Sequence, residues 1–271
     1  MIKDLSVGQY FPADSVLHRT DPRVKILNLL ITIIFIFYTV NYVSLFIVIV
    51  YVFIMMYLSK IPMKLYIKNF KTIIFFTIFT GLLNLFDDRG KLILEFGFLK
   101  VTDAGINNSI FVCVRVTSLI ILASIFTFTT LPTDLTDAVE KLLKPFKLIN
   151  INISEIAMMM TIAIRFIPTL IEEVEKIINA QKSRGADFEN KNLFVKIKAL
   201  MSIVMPLLVS SFKRAYDLAT AMESRCYRGA EHRTRMRTLK FKSIDAFSFA
   251  LTLIFIFGVI YCNMKFPATI K

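Results

Sequence analysis

Cysteine is scarce: Cys113, Cys226 and Cys262 are the only three in 271 residues. An odd, widely spaced set excludes a disulfide-stapled secreted domain. None has a partner at metal-ligand spacing, which argues against a zinc site. Histidine is scarcer still, with only His18 and His232. No apolar run holds a Ser/His or Asp/Asp pair at useful spacing, so the polar groups an intramembrane enzyme needs are missing. The phosphate-binding pattern G-x-x-x-x-G-K-[ST] is absent, so the chain does not bind ATP through such a loop. Residues 1–25 lack the apolar core of a signal peptide; they are polar, with His18, Arg19, Asp21, Arg23 and Lys25 close together. Tryptophan is absent, and acidic residues are few, 20 against 33 basic, giving a net charge of +13.

Apolar residues, by contrast, make up 56% of the chain, with 26 Phe and 12 Met. Roughly 45–50% is usual for soluble domains even with Gly counted, so disorder is excluded. The apolar residues are grouped. Uncharged or nearly uncharged runs cover residues 26–40, 42–58, 72–86, 104–131 and 244–264, the fourth interrupted by Arg115. Five such runs exceed what one soluble core can bury, and each approaches the ~20 residues that cross a bilayer. Residues 26–58, with only a polar pause at Asn41-Tyr42, read as a helical hairpin. Arg115 reads as a side chain that snorkels or pairs with a neighbouring helix. Residues 92–101 alternate around Gly97 and predict a short hairpin outside the membrane.

Charge gives the orientation. Residues 59–71 hold Lys60, Lys64, Lys68 and Lys71, and the N-terminal segment holds Lys3, Arg19, Arg23 and Lys25. With residues 132–243, these segments carry 27 of the 33 basic residues, and the opposite side carries five. Basic loops stay in the cytoplasm, which predicts an inside N-terminus, five spans and an outside C-terminus. The basic charge then serves topology and contact with the lipid surface rather than nucleic acid. The expected fold is an all-α polytopic membrane protein with about five transmembrane helices and a cytoplasmic set of amphipathic coupling helices. Its segments are 1–25, an N-terminal cytoplasmic piece; 26–131, four spans; 132–243, the cytoplasmic region; 244–264, the fifth span; and 265–271, an external tail.

Within the cytoplasmic region, Pro132-Thr133-Asp134 marks a helix start and Pro145 ends that helix. Two further segments, 156–171 and 197–212, are apolar for sixteen residues but contain Arg165 and Pro168, and Lys198 and Pro206. Both continue into charged amphipathic sequence. They are expected to lie at or just under the bilayer, packed on the spans and on each other; a sixth and seventh span is the alternative. Each segment leads to the same pattern, A-x-x-S-R, in Ala180–Arg184 and Ala221–Arg225, with the two arginines 41 positions apart. A helical hairpin would carry the two arginines on similar ends. Helix termination explains either motif alone, because Arg suits the negative helix end and Gly185 and Gly229 suit an exit. Two matched copies point instead to a pair of docking ends, each offering a planar fork of five donors.

At these residues the chain resembles a family, the EcfT subunit of energy-coupling factor (ECF) transporters, in its shared housekeeping form. Gly8–Leu27, including Asp21, Pro22, Arg23 and Lys25, is similar to the opening of that family. Arg165–Pro168, Ala180–Phe188 and Ala221–Gly229 are similar to its cytoplasmic signatures. The family's paired motif is usually Ala-Arg-Gly; here Ser183 and Ser224 replace the alanines and Cys226 the second glycine, while Arg184, Gly185 and Arg225 are kept. The resemblance implies a non-catalytic subunit of an ATP-driven importer for vitamins or other micronutrients in a prokaryotic cell membrane. It would have no cofactor of its own, ATP being bound by two ABC-type ATPase subunits, EcfA and EcfA'. Ser183, Arg184, Gly185, Ser224, Arg225 and Cys226 would seat on those ATPases, and interchangeable membrane-embedded S components would choose the substrate. The Met158–Met160 run is a candidate contact for the S component. A stand-alone secondary transporter and a non-transport membrane adaptor are the other readings.

Overall fold

In a computed structural model, the described residues are 10–85, 92–96, 99–145, 152–188, 192–229 and 241–267. The helices are α1 Val16–Arg19, α2 Pro22–Phe37, α3 Tyr42–Ser59, α4 Met63–Leu85, α5 Asp103–Thr129, α6 Pro132–Leu143, α7 Ile153–Ser183, α8 Leu193–Ser224 and α9 Ser243–Lys265. Strands β1 Leu92–Phe96 and β2 Leu99–Thr102 form one antiparallel hairpin, with Phe96 opposite Leu99 and an irregularity between Leu92 and Leu94. The expected hairpin is thus present; Gly97 lies outside the described residues.

Local chemistry sets the boundaries. Asp21 caps α2, with Pro22 at its first position, where the missing N–H costs nothing. Asn41 caps α3 and exchanges hydrogen bonds with Ser44. This reciprocal cap is why the polar pause in the first apolar stretch becomes a tight turn between two helices. Thr102 caps α5 by accepting from the Gly105 N–H at 3.1 Å.

The chain divides into two compact units, and the division falls inside α6, between Leu135 and Thr136. The first unit, residues 8–135 with 239–271, contains a helix bundle in which α5 packs on α2, α3 and α4, and α9 packs on α2 and α3. Its core holds Ile36, Val48, Tyr51, Val52, Leu122, Ile125, Phe128, Phe255 and Val259. Tyr51 stacks on Phe255 with ring centres 4.4 Å apart. Small polar side chains also sit inside: Asn28 donates to Ser248 at 3.1 Å, and Thr32 and Thr252 flank the Tyr51 hydroxyl. Large apolar groups face outward instead, among them Phe46, Phe53, Ile254 and Phe257. Polar residues inside and bulky apolar residues outside is the arrangement a lipid environment selects, since apolar contact with lipid costs nothing and buried hydroxyls need partners. Arg115 donates to the Thr39 carbonyl at the α2–α3 turn, with its guanidinium 5.7 Å from the Phe111 ring. It pairs with a neighbouring helix turn.

Among the described residues, five helices are long and apolar enough to cross a membrane: α3, α5, α7, α8 and α9. Three of these coincide with expected spans. The run expected at 26–40 forms a helix of only 16 residues, about 24 Å at 1.5 Å per residue, yet it packs in the bundle. The sixteen-residue apolar segments of the cytoplasmic region are halves of much longer helices, 31 residues in α7 and 32 in α8. Pro168 and Pro206 lie inside them and do not end them.

A second feature of the first unit is a buried polar junction. Asp245, only 3% exposed, accepts the backbone N–H of Asp21 and that of Lys242, both at 2.6 Å. Asp21 in turn grips Arg23 at both carboxylate oxygens, 3.1 Å from Nε and 2.8 Å from a terminal nitrogen. Arg23 lies 4.4 Å over the Phe241 ring, and buried Lys25 donates to the Thr129 carbonyl at 2.8 Å. The start of α2, the start of α9 and the end of α5 are therefore tied together. Nearby, His18 donates from Nε2 to the Phe11 carbonyl, and its Nδ1 lies 2.7 Å from the Ser15 hydroxyl oxygen. Burial holds the pKa of this ring below the ordinary value.

Candidate functional site

In the second unit, residues 136–238, both motif arginines stand at a helix C-terminus, and the backbone around them is the same. After α7, the Gly185 N–H bonds the Lys182 carbonyl at 3.0 Å and the Ala186 N–H bonds the Gln181 carbonyl at 3.0 Å, with Gly185 at φ +82°. After α8, the Cys226 N–H bonds the Glu223 carbonyl at 2.9 Å and the Tyr227 N–H bonds the Met222 carbonyl at 3.0 Å, with Cys226 at φ +58°. These are two copies of the paired closing bonds by which a left-handed residue ends a helix. Ser183 and Ser224 turn their hydroxyls back to the Asn179 and Ala221 carbonyls.

The closing bonds bear on the choice between termination and docking. Two carbonyls in the last turn of each helix are already taken by backbone N–H groups, so this closure does not use the arginine side chains. Arg184 and Arg225 are exposed, and among the described residues neither guanidinium bonds another group of the chain. Each helix ends in a hydrogen-bonded loop that exposes a five-donor fork.

The two ends are not adjacent. Tyr227 donates to the Met158 sulfur at 2.9 Å, and Arg214 reaches Glu173 at 2.6 Å. Moving forward along α7 therefore means moving backward along α8: the two helices run antiparallel. The expectation that a hairpin would place both arginines on similar ends holds for each helix separately but not for the pair. Arg225 sits at the end where α7 begins, and Arg184 at the far end, because opposed helices put their C-termini apart.

The other signature residues fall in two places. Arg165 is exposed on α7, three residues before Pro168. Asp21, Pro22, Arg23 and Lys25 build the junction of the first unit, together with Asp245, which the sequence reading did not single out. A lone acid at the start of the last apolar run was the signal for it. Among the described residues, no group of three or more His, Cys, Asp or Glu stands together as metal ligands.

Comparison with known proteins places this architecture. The family described as "CbiQ: Cobalt transport protein" matches residues 13–236. The protein named "Energy-coupling factor transporter transmembrane protein EcfT" in Ruminiclostridium cellulolyticum is 46% identical over 98% of this chain and 100% of its own length. The proteins of that name in Thermosediminibacter oceani and Clostridium kluyveri are 41% and 45% identical, over 93% and 90% of this chain and 95% and 92% of their own lengths. The chain belongs to the EcfT family. It is a multi-pass membrane subunit of a transport system, and the shared fold extends through both the bundle and the two long helices.

One difference between the twin loops has a measurable consequence. A non-glycine residue in the left-handed region costs about 1–2 kcal/mol, and Cys226 occupies that region where the first loop has glycine. Cys226→Gly is expected to stabilise the chain by about 1 kcal/mol, whereas Gly185→Val destabilises it by at least as much. Thermal unfolding in detergent measures both; equal midpoints for the two variants would contradict the strain.

Proposed function

We propose that this chain is the membrane scaffold and mechanical coupler of an ATP-driven importer of vitamins or other micronutrients. In this reading the ends of α7 and α8 each dock one of two ABC-type ATPase subunits, EcfA and EcfA', through Ser183, Arg184 and Gly185 at one and Ser224, Arg225 and Cys226 at the other. A membrane-embedded S component selects the substrate. ATP stays on the partner subunits, and this chain carries no cofactor. The N-terminus is cytoplasmic and the C-terminus external, as the distribution of basic residues favours.

The observation that carries the proposal is the pair of identical, self-capped helix ends pointing away from each other. One arginine fork on a surface is common. Two in the same backbone frame, at opposite ends of one helix pair, suit two similar partner sites set apart in space. An arginine fork meets a carboxylate or a set of carbonyls at fixed geometry, so each end transmits displacement as well as affinity. When ATP draws the two ATPases together, the ends are carried with them and α7 and α8 shift. That motion passes to the bundle and reorients the S component. Binding energy that differs between the open and closed ATPase dimer drives the change.

Purification separates this from the adaptor and secondary-transporter readings. The isolated chain is expected neither to bind nor to hydrolyse ATP, and turnover is expected once two ATPase subunits are bound. Micromolar ATP binding by the isolated chain would overturn the assignment.

A further inference from the structure

Glu173 on α7 bonds two residues of α8. Its one carboxylate oxygen accepts the Ser210 hydroxyl, and the other meets a terminal nitrogen of Arg214 at 2.6 Å. The glutamate side chain is 20% exposed and that of the arginine 36%, so the pair is only partly wetted. Its position in the sequence is as informative as its geometry. Glu173 lies 11 residues before Arg184, and Arg214 lies 11 residues before Arg225. The two are 41 apart, the same offset that relates the helix-end arginines. Glu173 and Arg214 therefore occupy the same site in the two copies of the repeat, and they meet each other.

We infer that Glu173, Arg214 and Ser210 form the pivot of the helix pair, a fixed crossing from which the two arginine ends extend as equal arms. Each arm is about 16 Å long at 1.5 Å per residue. The geometry requires the opposite charges at that level. Leu208, Val209 and Phe212 of α8 near the crossing are exposed, so they do not lock the pair, and apolar contact without a polar lock would let antiparallel helices slide by a turn. A carboxylate engaged at both oxygens by two donors permits only one register. With the register fixed, a displacement at one arm is felt at the other; with it lost, each end moves alone. Glu173, Ser210 and Arg214 are positioning residues, acting through Arg184 and Arg225. This inference rests on the docking proposed above, and its test separates the two.

The test uses the complex of this chain with its ATPases, carrying spin labels at Lys176 and Asp217, two exposed positions that are also 41 apart. The wild type is expected to give one narrow inter-label distance. Glu173→Gln and Arg214→Gln should each broaden it. Each should also lower the kcat of ATP hydrolysis about tenfold while the KM for ATP and the recovery of both ATPases stay unchanged. The reversed pair, Glu173→Arg with Arg214→Glu, should restore the narrow distance and most of the kcat. A merely structural pair would change recovery or stability, not the split between kcat and KM. Single variants with an unaltered distance and kcat would overturn the pivot, as would a reversed pair more damaged than either single. If no ATPase is recovered with the wild type, docking falls, while the distance in the chain still reports on the crossing.

Discussion

Replacing Arg184 and Arg225 together by Ala is expected to abolish uptake and to release the ATPases, while the chain still folds and inserts. Removing an arginine from a desolvated, hydrogen-bonded contact costs about 2–5 kcal/mol, because its partner is left unpaired. A role at the helix dipole alone would be worth about 0.3–1 kcal/mol. The structure narrows that smaller figure further, since the Gln181 and Lys182 carbonyls in the last turn of α7, and the Met222 and Glu223 carbonyls in the last turn of α8, are already bonded by backbone N–H groups. The two explanations thus differ by an amount any pull-down resolves. Single variants should be impaired, but less than the double, because the arginines stand at opposite ends of the helix pair and serve separate sites. Arg→Lys should rescue only in part, since an ammonium lacks the planar fork. Normal uptake with an intact complex in the double variant would remove the support for coupling through these ends.

Asp245→Ala is the substitution expected to damage the fold most. The carboxylate accepts two buried backbone N–H groups, of Asp21 and Lys242. Each orphaned donor costs about 1–3 kcal/mol, and the neighbouring Arg23 and Lys25 lose a nearby countercharge. A total near 3 kcal/mol or more should lower the unfolding midpoint by about 6–12 °C, at 2–4 °C per kcal/mol for a chain of this size. Asp245→Asn keeps one acceptor and should lose about half as much. An unchanged midpoint for Asp245→Ala would show that the junction is not what joins the starts of α2 and α9.

Much of this was legible in the sequence, for identifiable reasons. The runs at 42–58, 104–131 and 244–264 became helices almost to the residue because nothing but lipid or a helix bundle can accept them. The pause at Asn41 became a turn because Asn and Ser can cap a helix between them. The matched A-x-x-S-R endings marked the candidate site because helix ends have few alternatives for Arg followed by a small residue. What sequence alone left open was set by contacts distant in the chain. The antiparallel sense of α7 and α8 was implicit in the hairpin reading, but their register, with Tyr227 beside Met158, is encoded by no local pattern. The role of Asp245 depends on Asp21, 224 positions away. The length of α7 and α8 was hidden because Pro168 and Pro206 suggested interruptions, and the structure carries the helices through them. The Glu173–Arg214 pair did leave a trace, the shared offset of 41, but a glutamate and an arginine at equivalent positions look unlike until they meet.

The central claim is that this chain joins ATPases to a substrate-binding membrane protein. Affinity purification of the chain in mild detergent, followed by identification of every bound subunit, tests it most directly. The account predicts two ABC-type ATPase subunits and one small membrane-embedded S component, with ATPase recovery lost when Arg184 and Arg225 are both alanine. Recovery of the wild-type chain alone, with transport activity intact in the absence of any ATPase, would contradict it.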